Sequence, residues 1–186
     1  NYYNVQNILE YINKNRFFVK RPHVLNNLIK YLKDNNMLPA ITFIFSRKHV
    51  ELAAKEITHC LFETDSKLPS TVHKECENIL RNKLTNYKEY LNLPEYINII
   101  DLLKKGIAIH HAGMMPILRE MVELLFEKGY IKLLFATETF AVGINMPTKT
   151  VIFSGLTKYN GTSMRQLYSH EYTQMAGRAG RRGIDT

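Results

Sequence analysis

The chain has 186 residues, 45% hydrophobic and 23% charged, with a formal net charge of +8; these ordinary globular values exclude a disordered or fibrous chain. At roughly 150 residues per domain the length predicts one domain, able to bury on the order of 70% of its unfolded surface. No apolar run reaches the roughly 18 residues of a membrane span, the start has no signal-peptide pattern, and two cysteines, Cys60 and Cys76, read as reduced thiols of an intracellular compartment rather than a disulfide scaffold.

In chain order, Val5, Ile8, Leu9 and Ile12 recur at helical spacing, as do Leu25, Leu28, Ile29 and Leu32 after Pro22; residues 1–38 read as a helical lead-in. Residues 40–45 form a short apolar run, which predicts a strand buried on both faces. Ser46 is placed to cap a helix over 47–61, and the polar stretch 63–70 reads as a loop. Helices are expected over 71–91 and 94–105, the second opened by Pro94 and closed by Gly106. Residues 107–110 predict a strand, 116–128 an amphipathic helix, 131–136 and 150–154 two further strands, and 169–175 a last helix. Strands alternating with helices predict one α/β domain: a parallel sheet with helices on both faces. In such sheets ligands gather at the carboxyl ends of the strands.

Those ends carry the chemically suggestive residues. Ser46-Arg47-Lys48 joins a hydroxyl, a helix amino terminus and two cations, which suits a phosphate but is equally an ordinary cap beside a solvated basic turn. His110-His111-Ala112-Gly113 lacks the Cys or carboxylate partners of a metal site; a small-residue loop open to close ligand approach fits better. After the strand ending at Ala136, the segment Thr137-Glu138-Thr139-Phe140-Ala141-Val142-Gly143-Ile144-Asn145-Met146-Pro147 packs hydroxyls, a carboxylate and an amide more densely than a structural loop requires. Near the end stands Gln174-Met175-Ala176-Gly177-Arg178-Ala179-Gly180-Arg181-Arg182-Gly183. There Arg178 and Arg181 lie three apart, on one face if helical, and guanidiniums suit bidentate phosphate contact. Charge is +6 over residues 1–50, −2 over 51–100, +1 over 101–150 and +3 over 151–186, a balance compatible with a polyanionic partner such as nucleic acid. Finally, Asn160-Gly161 between β-prone residues predicts a hairpin over 157–165 with Tyr159–Thr162 at its tip.

The order of these segments resembles a known family. Phe43-Ile44-Phe45-Ser46-Arg47 is similar to helicase motif IV, residues 136–147 to motif V and residues 174–183 to motif VI. Together they look like the second RecA-like domain of superfamily-two helicases, and specifically like the superkiller-type DExH-box RNA helicases that serve the RNA exosome. The resemblance implies a three-layer RecA-like fold and a domain that closes over ATP and Mg²⁺ held mainly by the N-terminal RecA-like domain of the same protein. It implies Arg181 as the arginine finger, Arg178 as its companion on the phosphates and Gln174 as a further contact. Gly143, Asn145 and Glu138 would meet the nucleotide from motif V; Glu138 stands where many relatives carry Asp. Ser46, Arg47, Gly113 and Thr137 would grip the RNA backbone, which fixes register without reading sequence. Tyr159, Asn160 and Gly161 would meet the junction of duplex and single strand, since processive members carry a strand-separating hairpin between motifs V and VI; an ordinary surface turn is the plainer alternative. RNA-exosome-type cofactors are the implied protein partners. Asn1 rather than Met at the start reads as a piece of a longer protein. The sequence contains neither a G-x-x-x-x-G-K-[ST] loop nor an Asp-Glu-x-His box, so these residues hold half of an ATPase site; alone, they are expected to hydrolyse ATP negligibly. The alternative is a catalytically inactive RNA-binding or exosome-scaffolding module.

Overall fold

Four short, apolar segments pair side by side in parallel and set the frame for everything else. In the computed structural model, which describes residues 20–63, 66–141 and 148–180 together with Asn7 and Lys14, these are β1 (Ala40–Phe43), β2 (Ile107–His110), β3 (Leu133–Ala136) and β4 (Thr150–Phe153). Their order across the sheet is β2-β3-β1-β4. The helices are α1 (Arg21–Asp34), α2 (Arg47–Lys55), α3 (Leu68–Lys83), α4 (Tyr87–Tyr90), α5 (Pro94–Leu103), α6 (Pro116–Glu127) and α7 (Ser169–Ala176), and a short antiparallel ribbon joins β5 (Thr157–Tyr159) to β6 (Met164–Gln166).

Strand alternation splits the core into two layers. Ala40, Leu133, Phe135, Ile107 and Ile109 face α1 and α2, where Ile29, Leu32, Val50 and Ala54 complete one cluster. Ile41, Phe43, Leu134, Ala136 and Ala108 face the other way, onto Val72, Ile99, Met121 and Leu125 of α3, α5 and α6. The domain is therefore the expected three-layer α/β arrangement. Helix α1 belongs to it outright: Ile29 and Leu32 are buried, and Asn26 reaches across to α2. Val5, Ile8, Leu9 and Ile12, which carry the predicted first helix, lie outside the described residues.

Several boundaries differ from the sequence reading, each for a physical reason. The helix expected over 47–61 ends at Lys55. Asn26 seizes its exit, donating to the Glu56 carbonyl at 2.9 Å and accepting from the Thr58 N–H at 3.0 Å, while Ile57 still turns into the core. The loop expected over 63–70 becomes helix at Leu68, where the Ser66 hydroxyl accepts the Leu68 N–H at 3.1 Å and Pro69 sits in the first turn, which tolerates it. The helix expected over 71–91 breaks after Lys83: Leu84 is extended and packs against the core, and the poor helix formers Thr85 and Asn86 follow before the single turn α4. The strands expected over 40–45 and 131–136 are Ala40–Phe43 and Leu133–Ala136, although Ile44 and Ile131 remain buried.

Candidate functional site

The sheet register gathers the loops of interest. Phe43 pairs with both Ala136 and Phe153, and Ala136 with His110, so four strands end in one row. The segments beginning at Ile44, His111, Thr137 and Ser154 therefore leave the sheet along one edge.

At that edge the structure brings Arg47 and Gly113 together. Ser46 caps α2, its hydroxyl accepting the His49 N–H at 3.4 Å, and Arg47 is exposed beside it. A side chain at Gly113 would have its Cβ 3.3 Å from Arg47 Cδ and 3.2 Å from His111 Nδ1, tighter than ordinary contact. Any other residue would make the Arg47 stem or the His111 ring give way by a few tenths of an ångström. The Gly113 N–H also donates to His111 Nδ1 at 3.1 Å, which puts the hydrogen of the neutral ring on Nε2. That atom lies 3.3 Å from Glu51 Oε1 but out of hydrogen-bonding alignment.

Both histidines are buried and bonded within the fold. His110 is buried, its Nε2 2.7 Å from Glu123 Oε1 and its ring edge-on to Phe140 at 4.8 Å. Burial lowers its pKa, with Glu123 opposing in part; burial likewise lowers that of His111, opposed by Glu51. An unfolded histidine protonates near pH 6.5, so the unfolded chain takes up protons before the folded one. Stability is then fully present above about pH 7 and lost as pH falls through the unfolded value toward the lower folded ones. Urea midpoints measured from pH 8 to pH 5 should fall on the acid side, and His111→Gln should flatten that fall; a slope identical in the variant would exclude His111 as a contributor.

Thr137 continues the row: its N–H donates to the His110 carbonyl at 3.1 Å, and its hydroxyl lies 3.0 Å from that of Thr139. The chain then winds into a 3₁₀ turn, Glu138–Ala141, pinned by buried Phe140 and Ala141. Glu138 does not stand free: Lys158 of β5 donates to its Oε1 at 3.1 Å.

The expected hairpin is present, but its tip is shifted. Tyr159 pairs with Met164, so the loop is Asn160–Ser163, closed by the Asn160 N–H on the Ser163 carbonyl at 3.0 Å. Asn160 Oδ1 gathers the Thr162 N–H at 3.0 Å, the Thr162 hydroxyl at 2.9 Å and the Ser163 N–H at 2.8 Å. Gly161 supplies the left-handed step, with φ +103°, that this reversal needs. Tyr159 and Met164 project from the ribbon 61% and 65% exposed. A cavity of about 350 Å³ runs from Phe45, Ser46 and His49 to Tyr159 and Met164, joining the capped end of α2 to the hairpin.

Gln174 is exposed on α7. Arg178 is not helical, because α7 ends at Ala176 with Gly177 as its cap, so the condition under which it would share a helical face is not met at Arg178. The Arg178 guanidinium donates to the Ala141 carbonyl. Its own carbonyl accepts the Thr148 N–H at 2.8 Å, and the Gly180 N–H returns to Thr148 at 2.7 Å. Thr148 precedes β4, so the backbone of 178–180 is fastened toward the amino end of that strand, while the Arg178 side chain reaches the turn that follows Thr137. Gly143, Asn145 and Arg181 lie outside the described residues. Among the described residues no cluster of three His, Cys, Asp or Glu could hold a metal.

Sequence reasoning overlooked Lys158, Arg165 and Glu171, which form a charged junction around the hairpin. The alternation in 157–166 carried the signal, since Lys158 and Arg165 fall on the same ribbon face.

The helicase conserved C-terminal domain family matches residues 82–183. The chain is 44% identical over 178 residues to the antiviral helicase SKI2 of Saccharomyces cerevisiae, covering 94% of this chain and 13% of that protein. It is 44% identical over 167 residues to the exosome RNA helicase MTR4 of Mus musculus, covering 89% of this chain and 16% of that protein. With superkiller complex protein 2 of Homo sapiens it shares 41% over 159 residues, covering 86% of this chain and 12% of that protein. The chain thus spans only 12–16% of the length of these relatives.

Proposed function

The chain belongs to the helicase conserved C-terminal domain family, as the second RecA-like domain of a superkiller-type DExH-box helicase of superfamily two, and from that membership we propose that it is the C-terminal half of an ATP-driven RNA-unwinding motor. The observation that carries this reading is the shared edge. Ser46, Arg47, Gly113 and Thr137 stand along it, and one groove joins Ser46 to the hairpin. A hydroxyl, a guanidinium and a backbone opened by glycine suit phosphate oxygens of a single strand. Tyr159 and Met164 beside them offer exposed, flat or pliable surface on which a base can stack.

ATP is the substrate, and its phosphates and Mg²⁺ are assigned mainly to the partner lobe. The residues here fit the phosphate side, to which Gln174 and the arginines offer donors. In the closed motor Arg178 and Arg181 would neutralise charge on the transferring phosphoryl group, with Gly143 and Asn145 facing the nucleotide. Glu138, paired with Lys158, serves better as a tether than as a nucleotide contact. Exosome-type cofactors enter as partners through the likeness to the exosome RNA helicase.

The test uses the full-length protein, a duplex with a single-stranded overhang, and parallel measurement of RNA-stimulated ATP turnover and strand separation. Removing Tyr159–Thr162 should weaken unwinding more than turnover. Equal loss of both would remove the wedge role. Absence of RNA-stimulated turnover in the unaltered protein would leave the inactive scaffolding module instead.

A further inference from the structure

The hairpin is attached by charge on the face that folds usually make apolar. Lys158 and Arg165 oppose each other directly across the two strands and point inward, their side chains 14% and 19% exposed. Opposed cations repel, and a lone two-stranded ribbon is marginal in water. Glu171, in the first turn of α7, reconciles them. Its Oε1 takes Lys158 Nζ at 2.9 Å and Arg165 Nη2 at 2.7 Å, while Oε2 takes Arg165 Nη1 and the Tyr168 N–H, each at 2.8 Å. Burial alone would lower the Lys158 pKa, yet its bonds to Glu171 and Glu138 hold it above the usual lysine value.

Lys158 alone of this trio also reaches the turn after β3, through Glu138 at 3.1 Å. That turn is gripped at its other end, where Arg178 donates to the Ala141 carbonyl. One short 3₁₀ turn, about 6 Å long at its usual rise, therefore spans from the arginine assigned to the nucleotide to the lysine of the hairpin.

We propose that Lys158 is a positioning residue for strand separation: it passes displacements of the Glu138–Ala141 turn, driven at Arg178, to the hairpin. The proposal rests on the helicase reading, and its test separates the two. In the full-length protein, Lys158→Met keeps the stem and removes the charge, whereas Lys158→Arg keeps both. Losing the charged hydrogen bonds to two elements should cut unwinding about tenfold or more in the Met variant while RNA-stimulated turnover stays within about twofold, and Arg should restore most of the loss. Amides of 138–141 and of 157–166 should exchange faster together in the Met variant, because one contact restrains both. Unwinding and turnover falling in parallel would overturn transmission and make Lys158 a support of the ATP site; unchanged unwinding would overturn it as well. Should the unaltered protein neither hydrolyse ATP nor unwind, the helicase reading fails by itself. Hydrogen exchange then still decides the tether, which acceleration confined to the hairpin would sink.

Discussion

Replacing Arg181 with Ala in the full-length protein is expected to slow ATP turnover by about 10³- to 10⁵-fold, the range for an arginine supplied to a transferring phosphoryl group, and to leave most RNA binding in place. The asymmetry follows from the layout. The residues proposed to grip RNA leave the sheet at the carboxyl ends of the strands, whereas the segment leading to Arg181 is fastened toward the amino ends, with Gly180 bonded to Thr148 at 2.7 Å. Arg181 is not among the residues proposed to grip RNA, so its loss is expected to spare them. Turnover measured at saturating RNA, together with RNA affinity without nucleotide, checks both halves. Near-normal turnover would remove the finger assignment, and a matching collapse of RNA affinity would place Arg181 on the RNA.

The second large effect is one of stability. Phe140 is 1% exposed and meets His110 and Phe126 edge-on, at 4.8 and 5.6 Å between ring centroids. Phe140→Ala should cost about 3–5 kcal/mol, a large share of the 5–15 kcal/mol typical of a whole domain. For a chain of this size that lowers the unfolding midpoint by roughly 6–20 °C. The residue also pins the turn that carries Thr137 and Glu138, so exchange at 137–141 should quicken beyond the global change. Denaturant unfolding of the variant supplies the first number, and a loss below about 1 kcal/mol would mean that the site collapses around the gap.

What could be read without coordinates was whatever burial writes locally. Residues buried on both faces of a parallel sheet are mostly apolar, so β1, β2 and β3 announced themselves; the half-buried edge strand β4 did so through its apolar, β-branched run, and Asn160-Gly161 announced the hairpin. Element ends were harder because distant residues decide them. Asn26 stops α2 from 30 residues away, and Leu84 leaves its helix to fill the core. The pairing of Glu138 with Lys158 across 20 residues, and of His110 with Glu123 across 13, likewise depends on which elements the sheet makes neighbours. Arg178 shows the same limit differently: three-residue spacing suggests a helical face only where a helix continues, and Gly177 ends it.

The place of β1 has a practical consequence for anyone cutting the gene. The recognised family segment starts at residue 82, yet β1, at Ala40–Phe43, lies between β3 and β4 and pairs with both. A fragment trimmed to the recognised segment would lose its middle plank, leaving β4 with no neighbour and the apolar undersides of β2 and β3 bare. Expression boundaries that keep the lobe whole must begin ahead of Arg21.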